Sequence, residues 1–431
     1  MSAAEALSPE EIHEAVYAMG RQARAAAHSL ATLSTEQKNA ILFAMAAELR
    51  ARAGEILAEN AKDLIAAEAN GLTSAMQDRL RLDEDRLEAV AAGMEQVAGL
   101  ADPVGEVLDE RVRPNGIRIE QVRVPIGVIG IIYESRPNVT SDAAVLCLKA
   151  GNATILRGGS EAIHSNRVIA AALQAGGEKE GLPPHAIQLI PFTDRESVKE
   201  MASMDRYLDL IVPRGGKGLI ETVVSLARMP VIKHYDGVCH VFVDGGADLG
   251  MASDIVVDAK TQKPSVCNAL ETLLVEELVA GDFLPAVAKA LLARNVELRG
   301  CPVTQEILGE AVTPATGEDW EAEYLDYTLA IKVVDSLEEA VTHINEYGSQ
   351  HTDCIVTANQ TTAERFLREV DSACVFHNVS TRFSDGEEFG FGAEIGISTD
   401  KLHARGPMAL RELTSYQYRV RGEGQLKAPV G

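Results

Sequence analysis

The fold class predicted is α/β: two α/β domains built on parallel sheets, the first doubly wound, with three observations behind the prediction. Short, continuously apolar runs alternate with segments of helical period from about residue 126 to 236, the signature of βαβ units. The same alternation restarts near residue 237. Outside those blocks stand two segments, "GIRIEQVRVP" and "YQYRVRG", whose apolar and polar residues alternate as in strands with one wet face.

Residues 1 to about 100 are Ala-rich and helical in pattern. Ser34 and Gln37 have capping-box spacing, and Ile41, Leu42, Met45 and Leu49 recur at the period of a buried helix face. "GIRIEQVRVP" then predicts a strand, and a long exposed strand of that kind invites pairing with another chain. The first βα series follows: "IGVIGIIYE" as strand, "DAAVLCLKAGN" as helix, "ATILRGG" and "AIQLIP" as strands, "RESVKEMAS" as helix. It continues with "LDLIVPRGG" as strand, "KGLIETVVSLAR" as helix and "PVIKH" as a closing strand. In the second series "HVFVD" and "TLAIKVVDS" read as strands, and "ELVAGDFLPAVAKALLA" and "SLEEAVTHINEYG" as helices. The apolar run "NALETLLVEE" reads as a helix starting just after Cys267.

The chain has 431 residues and a formal charge of −24, which excludes non-specific nucleic-acid binding. An anionic substrate would need locally placed cations or backbone N–H groups. Six dispersed cysteines, with no C-x-x-C pair, suggest neither a zinc site nor a disulfide framework, so no metal is expected and the compartment reads as reducing. No apolar run approaches the ~20 residues of a membrane span, and "MSAAEALSPEEIHEAV" lacks the basic start of a signal peptide. A cytoplasmic protein is the expectation.

Glycines that follow apolar strands, at Gly158–Gly159 and Gly215–Gly216, let backbone N–H groups approach a phosphate, though such glycines are also ordinary turn residues. Arg157 and Lys217 beside them favour an anionic ligand. Among the cysteines, Cys267 in "KPSVCNALET" follows a Pro-Ser turn and is read at a helix start, where dipole and N–H groups favour thiolate. A buried thiol that merely packs is the competing reading. Spacing alone pairs Cys267 with no base: His234, His240 and Glu271 are candidates only by proximity in sequence.

Several blocks in order resemble the aldehyde dehydrogenase superfamily: "VPIGVIGIIYESRPNVTSDAA", "LKAGNATILRGGSEAIHSN", "VPRGGKGLI", "VIKHYDGVCHVFVD", "TQKPSVCNALETLLV" and "FGFGAEIGISTDKLHARGPMALRELTSY". The resemblance spans nearly the whole chain and is similar in detail to the branch that reduces γ-glutamyl phosphate. It implies an aldehyde dehydrogenase-like fold: a Rossmann-like NADP-binding domain (1–111 and 125–236), a catalytic domain (237–400), and a small β oligomerisation arm (112–124 and 410–431). It implies reduction of γ-glutamyl phosphate by NADPH to glutamate 5-semialdehyde and phosphate through a cysteine thioester, in proline biosynthesis, by a homo-oligomer. A contact with glutamate 5-kinase, which must supply so labile an acyl phosphate, is a partner it raises.

By the same resemblance Cys267 matches the nucleophile. Arg157 falls where the family places a lysine against the adenosine ribose, and a guanidinium there suits a 2′-phosphate. Gly158, Gly159, Gly215, Gly216 and Lys217 fall at the glycine turns near the cofactor, and Glu323 where a glutamate holds the nicotinamide ribose. Arg136, Asn138 and Lys263 are candidates for the substrate's phosphate and carboxylate. His234 stands in place of the glutamate that activates water in oxidising members, and Ser135 nearest the usual oxyanion asparagine. Two alternatives remain open: an NAD-dependent semialdehyde dehydrogenase that forms the acid, and a non-catalytic oligomeric binding protein of the same fold.

Overall fold

A computed structural model describes residues 7–427; the acidic start of the N-terminal segment and residues 428–431 of the expected arm lie outside the described residues. The chain divides into two compact units. The first holds residues up to Ile232 together with Phe391–Gly396 and the segment from Met408 onward, and the second holds Lys233–Gly390 and Ile397–Pro407. Sequence reading placed the boundary at 236/237 and the arm apart; here the arm's strands belong to the first unit.

The first unit opens with the helices Pro9–Leu30, Thr35–Ala51, Ala53–Ala69, Ser74–Leu80 and Glu84–Gly99. Ser34 and Gln37 form the reciprocal capping box, and Ile41, Leu42, Met45 and Leu49 are fully buried, as their spacing requires. A four-stranded parallel sheet follows in the order Ile187–Leu189, Ala153–Gly158, Val128–Tyr133, Leu210–Arg214. Its two central strands are buried along their whole length, which is why they read as unbroken apolar runs. "PVIKH" does not add a strand: Val231 makes a single bridge to Ile211, since Pro230 cannot donate to a ladder.

The alternating segments form a separate antiparallel sheet in the order Val107–Val112, Arg118–Pro125, Thr414–Arg421. Tyr416, Tyr418 and Val420 on its edge strand are exposed.

The second unit carries a seven-stranded sheet whose strands all pair in parallel. At its centre, Leu270–Glu276 lies between Cys239–Val243 and Thr328–Val334. The two faces segregate by alternate residues. Val241, Leu273, Ile331 and Val356 pack with Phe283, Leu284 and Val287 on one side, while Phe242, Leu274 and Ile355 pack with Ile344 and Phe366 on the other. Each such side chain contributes about 1.5–3 kcal/mol on burial, so this sheet is the unit's rigid element.

Here one expectation is corrected. "ALETLLVEE" is not a helix beginning after Cys267; Leu270–Glu276 is a strand with six consecutive buried positions. A seven-residue stretch with a buried apolar centre fits a central parallel strand, and periodicity does not separate that from a short buried helix.

Candidate active site

Cys267 sits in the loop between the helix Leu249–Thr261 and the strand Leu270–Glu276, in a turn closed by the Ala269 N–H donating to the Val266 carbonyl at 3.0 Å. The loop leaves a helix C-terminus, so the helix-dipole activation expected from sequence is not what this geometry provides. Its position is fixed by backbone contacts instead. Gly237 presses against it so closely that a Cβ on Gly237 would fall 2.0 Å from the Cys267 carbonyl oxygen. The Cys239 thiol donates to that oxygen at 3.2 Å, and Asn268 Nδ2 donates to the Ser384 and Arg382 carbonyls at 2.9 and 3.4 Å. Cys267 remains half-buried, whereas the other five cysteines are buried; none of the six is in a disulfide. Burial pushes the Cys239 thiol well above the ordinary range, which leaves it a donor and not a nucleophile.

The second unit also holds other groups named from sequence. Glu323, half-buried, accepts the Gly237 N–H on Oε1 at 2.9 Å, and Gly237 in turn lies against Cys267. His234 Nδ1 lies 2.9 Å from the Ile397 carbonyl, and its ring meets His351 edge-on at 5.6 Å. His351 is neutral: burial, with His234 beside it, pushes its pKa down to about 3. Lys263 is exposed on the same loop as Cys267. His240 is buried against Asp353 at 2.8 Å, and Glu271 against Lys260 at 2.6 Å, so neither is a base for Cys267.

The first unit holds the remaining candidates. Arg136 is exposed ahead of the helix Asn138–Lys149. Asn138 Nδ2 donates to Asp142 at 2.8 Å, and burial raises the Asp142 carboxyl to about 6. Ser135 is not an oxyanion donor here: its N–H and hydroxyl both donate to Glu161, at 2.8 and 2.6 Å. Arg157 is buried and gives Nη2 to the Thr193 carbonyl at 2.9 Å and Nη1 to the Gly158 carbonyl at 3.1 Å, with Nε 3.5 Å from Ser197. Three of its five N–H groups are thereby committed to described residues.

In both turns a glycine lies against a neighbouring side chain, while Gly216 has open space around it. A Cβ at Gly158 would lie 2.1 Å from Asn166 Nδ2, a buried donor without a protein partner among the described residues. A Cβ at Gly159 would strike Glu161 at 2.4 Å, and one at Gly215 would strike Glu134 at 2.6 Å. Gly216 caps the helix Lys217–Leu226 and donates its N–H to Glu134 at 2.9 Å. A carboxylate thus already occupies the helix N-terminus, which is how a dinucleotide phosphate would be held there. With the orphaned Asn166 amide beside Gly158 and the Gly216 N–H at a helix start, these residues fit such a group. Sequence reading missed Glu134, Gly237 and Asn268. The signals were an acidic residue ending an apolar strand, a glycine just before the second domain, and an amide next to the thiol.

The aldehyde dehydrogenase family profile matches residues 3–304. The chain is 54% identical over 416 residues to a γ-glutamyl phosphate reductase of Geotalea daltonii, covering 96% of this chain and 99% of that one. It is 53% identical to one of Desulfatibacillum aliphaticivorans, covering 97% and 100%. Among solved structures, the γ-glutamyl phosphate reductase of Thermotoga maritima superposes with a TM-score of 0.94 at 46% identity, covering 96% of this chain and all of that one. An acetylating aldehyde dehydrogenase of Geobacillus thermoglucosidasius shares the fold at a TM-score of 0.67 and 18% identity.

Proposed function

The chain belongs to the aldehyde dehydrogenase family, and from that premise we propose that it reduces γ-glutamyl phosphate with NADPH to glutamate 5-semialdehyde and phosphate. The observation that carries this reading is a half-buried Cys267 on a loop pinned by Gly237 and Asn268, in a chain 54% identical end to end to a protein of that name. The semialdehyde cyclises spontaneously to pyrroline-5-carboxylate, which puts the reaction in proline biosynthesis, in the cytoplasm.

Cys267 attacks the acyl carbon as thiolate; the C–O bond to phosphate breaks, phosphate leaves as a stable anion, and a thioester remains on the sulfur. Bound NADPH supplies the hydride that turns this thioester into aldehyde and releases the thiolate. Arg157, Gly158, Gly159, Gly215, Gly216 and Lys217 hold the cofactor's phosphates, and Glu323 its nicotinamide ribose. Arg136, Asn138 and Lys263 supply counter-charge and donors to the substrate's phosphate and carboxylate. His234, anchored to the Ile397 carbonyl, stands where a water-activating carboxylate would otherwise hydrolyse the thioester. The exposed edge strand Thr414–Arg421 pairs with a second copy in a homo-oligomer.

The test is the reverse reaction: NADPH formation from glutamate semialdehyde, with and without phosphate, for the wild type and Cys267→Ala. Phosphate-dependent activity in the wild type and none in the variant is expected. Activity that ignores phosphate marks an acid-forming dehydrogenase, and activity that survives Cys267→Ala removes the thioester.

A further inference from the structure

A wholly buried ion pair of the second unit flanks the loop that carries the proposed nucleophile. Lys260, in the last turn of the helix Leu249–Thr261, and Glu271, second residue of the strand Leu270–Glu276, pair at 2.6 Å with both side chains wholly buried. Such a pair loses hydration that its mutual attraction repays only in good geometry, and an apolar pair of the same volume is often as stable or more so. Fold stability therefore does not explain it, and its connections do.

The pair joins the two ends of the loop that carries Cys267. Glu271 Oε2 takes the Lys260 ammonium, while Oε1 accepts the Leu325 N–H at 3.1 Å. Leu325 has a φ of 53°, the left-handed region that disfavours a branched side chain, in a stretch without regular structure that also holds Glu323. Glu323 in turn accepts the Gly237 N–H, and Gly237 abuts Cys267. One carboxylate thus sets the base of the thiol's loop and the conformation of the loop that bears Glu323.

We propose that Lys260 and Glu271 are positioning residues that hold Cys267 and Glu323 in register with each other. This rests on the reading of Cys267 as nucleophile and goes beyond it by assigning what fixes its place. The ammonium and carboxylate touch no substrate; they act through the Leu325 backbone and the span of the loop.

Three variants test it: Glu271→Gln, Lys260→Met, and the apolar double Lys260→Met/Glu271→Leu, which removes the buried charges together and is expected to fold. Each is measured for kcat and KM in phosphate-dependent NADPH formation, and for the rate at which iodoacetamide alkylates Cys267. The double variant is expected to keep its melting temperature, lose kcat by about 10- to 100-fold with KM for NADP within about threefold, and alkylate about fivefold faster because its loop is no longer closed at the base. A folded double variant with unchanged kcat overturns the assignment. If the wild type itself shows no phosphate-dependent activity, the function proposed above fails, and the alkylation ratio alone then decides the positioning role: faster in the variant supports it, equal overturns it.

Discussion

The backbone of Gly237 lies against Cys267 with no room for a methyl group: a Cβ there would fall 2.0 Å from the Cys267 carbonyl oxygen and 2.6 Å from its Cα. What it would meet is backbone, which has no rotamer through which to yield. Gly237→Ala is therefore expected to displace the thiol's loop and lower turnover about 100-fold or more, the scale of an ångström-sized misplacement. Steady-state kinetics with a melting curve checks it, and an alanine variant with wild-type turnover refutes the contact.

Glu323 separates two roles that one substitution would confuse. Glu323→Gln retains an acceptor for the Gly237 N–H, 2.9 Å away, but removes the charge; Glu323→Ala removes both. For the glutamine variant we expect KM for NADP to rise by about tenfold, the loss of one charge-assisted hydrogen bond, with Cys267 alkylation unchanged. Alanine should alter alkylation as well. Equal effects of the two variants on alkylation would mean that the hydrogen bond to Gly237 does not hold the thiol's loop.

What was legible in the sequence follows from locality. Ser34 and Gln37 interact across three residues, and the βα alternation records burial strand by strand, so both could be read from spacing. A motif singled out Cys267. Its environment could not be read that way, because it is made by residues distant in the chain: Gly237 and Ser384 meet the loop, and Glu323 meets Gly237. The misread strand Leu270–Glu276 has the same cause, for a run buried on both faces shows no period at all. Taking it for a helix supplied Cys267 with an activating dipole that the fold does not provide.

Glu134 gives a prediction for the first unit. Its carboxylate takes the Gly216 N–H at the start of the helix Lys217–Leu226, the donor proposed for a cofactor phosphate. It must leave when phosphate arrives, and it repels that phosphate meanwhile. Glu134→Gln is expected to tighten NADPH binding by about two- to fivefold, in line with the 0.3–1 kcal/mol typical of a charge at a helix end. A fluorescence titration of NADPH measures this; weaker binding would show that Glu134 assists the cofactor.

Acid stability offers the last prediction. His343 and His351 are buried, and burial holds both pKa values down to about 3. The unfolded chain takes up protons on them near 6.5 while the folded chain does not, so between about pH 3 and 6.5 the unfolded state binds more protons and stability falls as pH drops. Each histidine contributes about 1.4 kcal/mol per pH unit once well below 6.5. Glu271, which burial pushes up to about 7, opposes this: its proton favours the fold on acidification, and that gain is lost as pH rises through 7. Two histidines against one glutamate leave a net loss toward acid. Urea midpoints between pH 7 and 5 should therefore decline well before ordinary carboxylates titrate, and His351→Asn should flatten the decline by roughly one group's share. An unchanged slope in that variant would mean that His351 is not one of the groups that lower stability toward acid.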